Sequence, residues 1–318
     1  MMKKQLFADF SLLLIAFVWG STFVLVQNAI AFLDPFSFNG IRFFLAAILL
    51  GGWLFLFERK QLRHLNKKIV MSGLFLGFLL FIGYAFQTAG LLYTTSSKAG
   101  FITGLSVVMV PIFAIYLLNE RPGRNAVIGI IGATAGLYLL TMAGTSGLTT
   151  GDGLVFVCAI GFAMHILMTG KYAGQFPALL LTMIQVSTVA LLSAISAFLF
   201  EDWQSVAKHD ILLSRDVAAA LLITAVFATA LAFLAQTSFQ KFTTPTRVAL
   251  IFAMEPVFAA VTAYVWAGER LSFSAVLGCM LIFAGMVFAE LPRKPAASLL
   301  KQKHELVHEA TSNHVKQK

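Results

Sequence analysis

Glu255 sits inside a long apolar run and is followed at once by Pro256. An ionisable group at membrane depth is costly and by default marks a substrate or proton path. Glu255 could bind a cationic group or carry a proton. The alternative is a structural carboxyl that stays protonated or pairs with a neighbour to hold its helix. Pro256 cannot continue the backbone hydrogen-bond ladder, so a kink and a freed carbonyl beside an acid suit a hinge. Arg42 is a second charge within an apolar run. It is either an anion or carboxylate anchor, or a partner for Glu255, or a side chain snorkelling to the headgroups. His165 could relay protons or be a satisfied core histidine. Trp19 could stack on a substrate ring or simply pack. Gln87, Gln185 and Gln236 either line a polar cavity or bond between helices. These seven residues are the candidate substrate-binding set, with Pro256 and Pro111 as candidate hinges.

These side chains need elements that can carry them in lipid. Of the 318 residues 59% are hydrophobic and 12% charged, against roughly 25% charged in soluble domains. The sequence therefore has too little charge to cover a surface in water. A spanning helix takes about 20 mostly apolar residues. Ten segments qualify: 10–32, 36–56, 69–91, 98–118, 125–142, 153–170, 177–199, 217–239, 246–266 and 272–290. The run from Phe10 to Leu33 is too long for a signal-peptide core and reads as the first span. The net charge of +9 does not point to nucleic acid, because the basic residues are spread through short loops rather than gathered on one face. Cys158 and Cys279 lie in apolar runs without a Cys or His at ligand spacing, so no metal is expected. His304 and His308 belong to a polar tail, 293–318, that reads as solvated and cytoplasmic.

Eighteen of the 23 Lys and Arg fall in the termini and alternate loops that share one side, and four (Lys98, Lys208, Arg215, Arg270) fall on the other. That bias predicts both termini in the cytoplasm and an even number of spans. A shift of 149 residues aligns 87–136 with 236–285 without a gap and gives 14 identities in 50 positions. Gln87-Thr88 falls on Gln236-Thr237, Glu120-Arg121 on Glu269-Arg270, Gly129 on Gly278 and Gly136 on Gly285. Five helices per copy is odd, so the second copy enters the bilayer from the other side. Inverted repeats around a midplane site are a common build for secondary transporters. Pro111 and Pro256 do not coincide under the shift. Helix 4 is therefore expected to bend one turn nearer its cytoplasmic end than an image of helix 9 would. Glu120 and Glu269 read as caps of the helices that follow them. The pairs Gly73/Gly77, Gly100/Gly104 and Gly132/Gly136 read as close helix packing.

The landmarks Trp19-Gly20-Ser21-Thr22, Arg42, Glu255-Pro256-Val257-Phe258 and Gly268-Glu269-Arg270-Leu271 make the chain resemble the drug/metabolite transporter superfamily, specifically transporters with two EamA repeats. The resemblance covers about residues 9–290. It implies an all-α integral membrane protein of ten transmembrane helices in two inverted repeats, 9–142 and 151–290. It also implies a central cavity lined mainly by helices 1–4 and 6–9, with helices 5 and 10 supporting, and export or exchange of small metabolites or drug-like compounds. The expected partners are a small-molecule substrate, the lipid of the cell membrane and, as a candidate, a second copy in a homodimer, with no cofactor. No phosphate-cradling Gly-Lys-Ser/Thr loop is present, so the energy would come from a gradient. An intramembrane enzyme lacks a nucleophile–base pair, and a membrane sensor or scaffold lacks an output domain.

Overall fold

Lipid offers no hydrogen-bond partner to open backbone, so each apolar run must close its own ladder as a helix. The computed structural model describes residues 2–94, 96–141, 147–202, 212, 214–266 and 270–290. Its helices are α1 (Met2–Ala29), α2 (Pro35–Phe57), α3 (Lys67–Leu91), α4a (Ser96–Gly104), α4b (Ser106–Leu118), α5 (Arg124–Thr141), α6 (Thr150–Tyr172) and α7 (Ala178–Phe200). The consecutive segments Arg215–Ile223, Thr224–Leu231 and Ala232–Phe239 make α8, and α9a (Pro245–Phe252), α9b (Glu255–Trp266) and α10 (Phe273–Glu290) complete the bundle. Among the described residues nine helical stretches are long and apolar enough to cross a bilayer, and α10 contributes a shorter apolar one, Phe273–Ala289. Large apolar side chains such as Phe44, Leu56, Ile195 and Met280 face outward, as a lipid-facing surface requires. Lys208, Glu269 and the 293–318 tail lie outside the described residues.

Local chemistry sets the helix starts. Pro35 opens α2 and Pro245 opens α9a, positions where a missing N–H costs nothing. Asn66 accepts from the N–H groups of Lys68 and Ile69 to cap α3, and Thr149 with Asp152 forms a capping box on α6. Glu120, expected to favour the start of α5 through the helix dipole, is exposed in the turn before it. The turn before α5 depends instead on Asn119, whose φ of 55° is left-handed and suits an asparagine.

Helices 4 and 9 are each broken, and the breaks fall on each other. Leu105 separates α4a from α4b; Ala253 and Met254 separate α9a from α9b. Under the 149-residue shift Leu105 maps onto Met254. This corrects the expected displacement of the helix-4 bend. Pro111 is buried inside α4b, which continues through it, whereas Pro256 is the second residue of α9b. A proline at the start of a helical segment leaves no donor missing, and one inside a helix strands only the carbonyl four residues earlier. Pro111 therefore perturbs the turn next to the Leu105 break without making a break of its own.

Packing relates the two halves. A methyl on Gly129 would meet the Gly285 carbonyl oxygen at 2.5 Å, and one on Gly136 would meet that of Gly278 at 2.6 Å. Numbers rise along α5 as they fall along α10, so these helices cross antiparallel with glycine on glycine. Gly73 and Gly77 seat Ile184 and Thr188 of α7 in the same manner. Gly100 differs: nothing lies within 4 Å of the place its Cβ would take, so it leaves space instead of tightening a contact. The halves also exchange their first helices: α1 packs against α8 and α9, and α6 against α3 and α4.

Candidate functional site

A cavity of about 450 Å³ runs from the middle of the bundle toward the end where α3 finishes and α4a begins. Leu91, Gly100, Leu140 and Leu271 flank that end. The opposite end is filled by Leu12, Ile15, Val110, Val248 and Ile251, all buried in one cluster. The space therefore opens along one half of the bundle and is sealed along the other.

Glu255, Arg42, Trp19, Gln87, His165 and Gln236 all lie in the cavity wall, as does Pro256. Gln185 and Pro111 do not. Glu255 is half-buried there, at the first residue after the α9 break. Among the described residues it forms no direct ion pair, and Arg42 stands in the same cavity wall.

Arg42 is 3% exposed and does not snorkel. Its Nε donates to Thr229 Oγ1 at 2.7 Å, and Nη2 donates to the Tyr84 hydroxyl at 3.3 Å and the Ala228 carbonyl at 3.5 Å. The guanidinium also lies 4.9 Å from the centre of the Tyr84 ring and 5.3 Å from that of Phe43. Nη1 makes no hydrogen bond to a described residue. The planar fork is thus fixed on one edge, with donors left over in a cavity wall, the arrangement that suits an anionic group.

Helix α8 supplies the fixing partners through a π-helical stretch, Thr224–Leu231, in which the Ala232 N–H reaches the Phe227 carbonyl. The wider turn lets the Ala228 carbonyl accept from Trp19 Nε1 at 2.8 Å as well as from Arg42. Single π turns inside helices frequently mark functional sites. Trp19 is therefore anchored by its indole N–H, while its ring meets Phe233 and Phe252. Gly20, next to it, lies against the Glu255 carbonyl oxygen, Phe258 and Ala259, so α1 touches α9b at the acid itself.

The amides play two parts. Gln87 Nε2 donates to Thr103 Oγ1 at 3.3 Å, and Gln236 Nε2 donates to Gln240 Oε1 at 3.2 Å. Gln185, fully buried, lies behind His165: its Oε1 is 2.9 Å from His165 Nε2, and its Nε2 donates to Thr237 Oγ1 at 3.1 Å. It positions the histidine from outside the cavity. His165 is satisfied by this contact yet remains a wall residue. Tyr84, Ala228 and Thr229 had no role in the sequence reading, and Gly20 figured there only as part of a family landmark. Thr224 and Thr229 stand five apart, and Thr229 Oγ1 bonds the Thr224 carbonyl at 2.9 Å. That π spacing is the one trace of this turn in the sequence.

The profile of the EamA-like transporter family matches residues 6–142 and again 149–290. An uncharacterized transporter of Archaeoglobus fulgidus is 34% identical over 292 residues, 91% of this chain and 87% of that one. The uncharacterized transporter YvbV of Bacillus subtilis is 25% identical over 301 residues, 92% and 95% of the two chains. A crystal structure 20% identical in sequence superposes with a TM-score of 0.75 over 91% of this chain and 97% of that one, which shows the shared fold. Two family domains that fill the helical region, and a relative aligned over nearly the whole length, establish that the chain belongs to the EamA-like transporter family.

Proposed function

We propose that this protein is a secondary transporter that exports small organic metabolites or drug-like compounds from the cell by alternating access, driven by a gradient. The observation that carries the reading is a cavity sealed at one end and walled by an acid and an arginine that do not neutralise each other directly. Such a wall binds a solute with complementary polar groups and must release it to the opposite side. Glu255 takes the cationic or proton-bearing part, Arg42 the anionic part, and Trp19 the ring or apolar body. Gln87, Gln236 and His165 complete the polar wall, and Gln185 orients His165. The antiparallel α5–α10 seam and the matching breaks in helices 4 and 9 support an inverted pair of halves. The Lys and Arg bias supports cytoplasmic termini in the cell membrane. Bending is assigned to the breaks at Leu105 and Met254, with Pro111 and Pro256 next to them.

The test uses cells that lack or overproduce the protein, compared for excreted metabolites and for resistance to toxic analogues. A compound found this way is then followed in proteoliposomes. Glu255→Gln should abolish or uncouple its transport. Normal transport by Glu255→Gln at every pH would remove Glu255 from the coupling step.

A further inference from the structure

Away from the cavity, two ion pairs occupy matching places in the two halves. Lys98 Nζ lies 3.4 Å from Asp152 Oδ2, with side-chain exposures of 7% and 4%. Arg247 Nη2 lies 3.6 Å from Asp9 Oδ2, with exposures of 24% and 13%. Lys98 and Arg247 are mates under the 149-residue shift. Each is the third residue of the first segment of a broken helix, α4a or α9a. Asp9 and Asp152 are each the fourth residue of their family domain. The Thr94 hydroxyl donates to Asp152, and its mate Thr243 lies beside Asp9 without completing a hydrogen bond. The same three-residue cluster has thus been built twice, once at each end of the bundle.

Each cluster ties the first segment of a broken helix to the first helix of the opposite half: α4a to α6, and α9a to α1. Among the described residues the second segments carry no such tie. At the sealed end α4b closes on α9a, where Val107 and Val110 share the buried cluster with Val248 and Ile251. At the open end the cavity separates α9b from α4a, with Ala259 and Ala260 on one wall and Gly100 and Thr103 on the other.

We infer that each ion pair anchors the pad on which the other half's free segment closes. The Asp9–Arg247 pair holds α9a as the pad for α4b and seals one end. The Lys98–Asp152 pair holds α4a as the pad for α9b and seals the other end in the alternate state. This rests on the alternating-access reading above. Removing one partner leaves an uncompensated charge, buried for Lys98–Asp152 and half-buried for Asp9–Arg247, so the pad loosens and the closure made on it weakens. The two lesions therefore have opposite signs.

The experiment uses the full chain with Cys158 and Cys279 changed to alanine and Ser106→Cys as reporter. Ser106 lines the cavity and is the mate of Glu255. A membrane-impermeant maleimide is applied from either face of sealed vesicles, and the ratio of labelling rates is read. Arg247→Gln should raise labelling from the face where α9 begins, relative to the other face, by roughly fivefold. Lys98→Gln should shift the ratio by a similar factor the opposite way while leaving Asp152 to cap α6. Arg247→Lys and Lys98→Arg should stay near the parent. Should either Gln variant fail to fold, Thr94→Val in the Lys98 cluster and Asp9→Asn in the Arg247 cluster weaken the same ties more gently and should move the ratio in the same direction. A parent labelled from one face only, with and without transported compound, overturns alternating access. A parent labelled from both faces, with variants that shift together or not at all, overturns the anchor assignment alone.

Discussion

Replacing Gly20 with alanine puts a methyl group where α1 meets α9b. The new carbon would lie 2.8 Å from Phe258 Cβ, 2.9 Å from Ala259 N and closer still to the Glu255 carbonyl oxygen. Ordinary carbon contacts begin near ~3.5 Å. Two of the three neighbours are backbone atoms, so no rotamer change relieves them, and α9b must withdraw by about 0.5–1 Å. That withdrawal stretches the 3.3 Å bond from Thr262 to Ser21 and shifts Glu255 in the cavity wall. Overpacking of this kind costs about 1–3 kcal/mol. Gly52 of α2 is the control, because nothing lies within 4 Å of its Cβ position. Alanine there gains about 0.5–1 kcal/mol of helix preference. Thermal unfolding of both purified variants in detergent, with uptake measured in proteoliposomes, separates the two effects. Gly20→Ala should unfold below the parent and transport more slowly, and Gly52→Ala should unfold at or above it. A Gly20→Ala protein as stable as the parent would refute the close α1–α9b contact.

Arg42→Lys should reduce transport at least tenfold, because an ammonium cannot reproduce the fork that binds Thr229, Tyr84 and Ala228; initial uptake rates check this. Gly278→Val should destabilise the protein, since a methyl there would meet the Gly136 carbonyl oxygen at 2.5 Å, whereas Gly132→Ala, with its nearest neighbour at 3.8 Å, should be tolerated; thermal unfolding in detergent ranks the two. Gln185→Leu leaves His165 and Thr237 without their amide partner and should cost about 1–3 kcal/mol, with a smaller relative loss of transport than Arg42→Lys.

Much of the fold was legible because lipid makes the code simple. Apolar runs of spanning length marked the helices. Gly129, Gly136, Gly278 and Gly285 gave the repeat and proved to be the seam where its copies touch. The location of the helix breaks was not legible. Proline is the visible breaker, yet in α4 the chain departs from the helix at Leu105, a residue with no local preference for doing so. The π turn of α8 was hidden for a similar reason: Thr224–Leu231 is an ordinary apolar string, and only the demands of Trp19 and Arg42 from other helices give its widened turn a purpose. Lys98 was misplaced as a loop charge because burial of its pair with Asp152 depends on α6 arriving from the other half.

The cavity charges break the symmetry that everything around them keeps. Helix breaks, ion-pair anchors and the α5–α10 seam all come in mates, but the mate of Glu255 is Ser106 and that of Pro256 is Val107. A paired scaffold has reason to be symmetric, since it makes the two closures alike and so close in energy, which is what a transporter needs to populate both. A charged site gains nothing by being doubled. Each ionisable side chain held at membrane depth costs about 2.5–3.5 kcal/mol on insertion scales, and a second acid would repel the first. Under the proposed alternating access, one acid at one of two equivalent breaks would take part in both closures. Ser106 can face the same solute from the other break at no such cost.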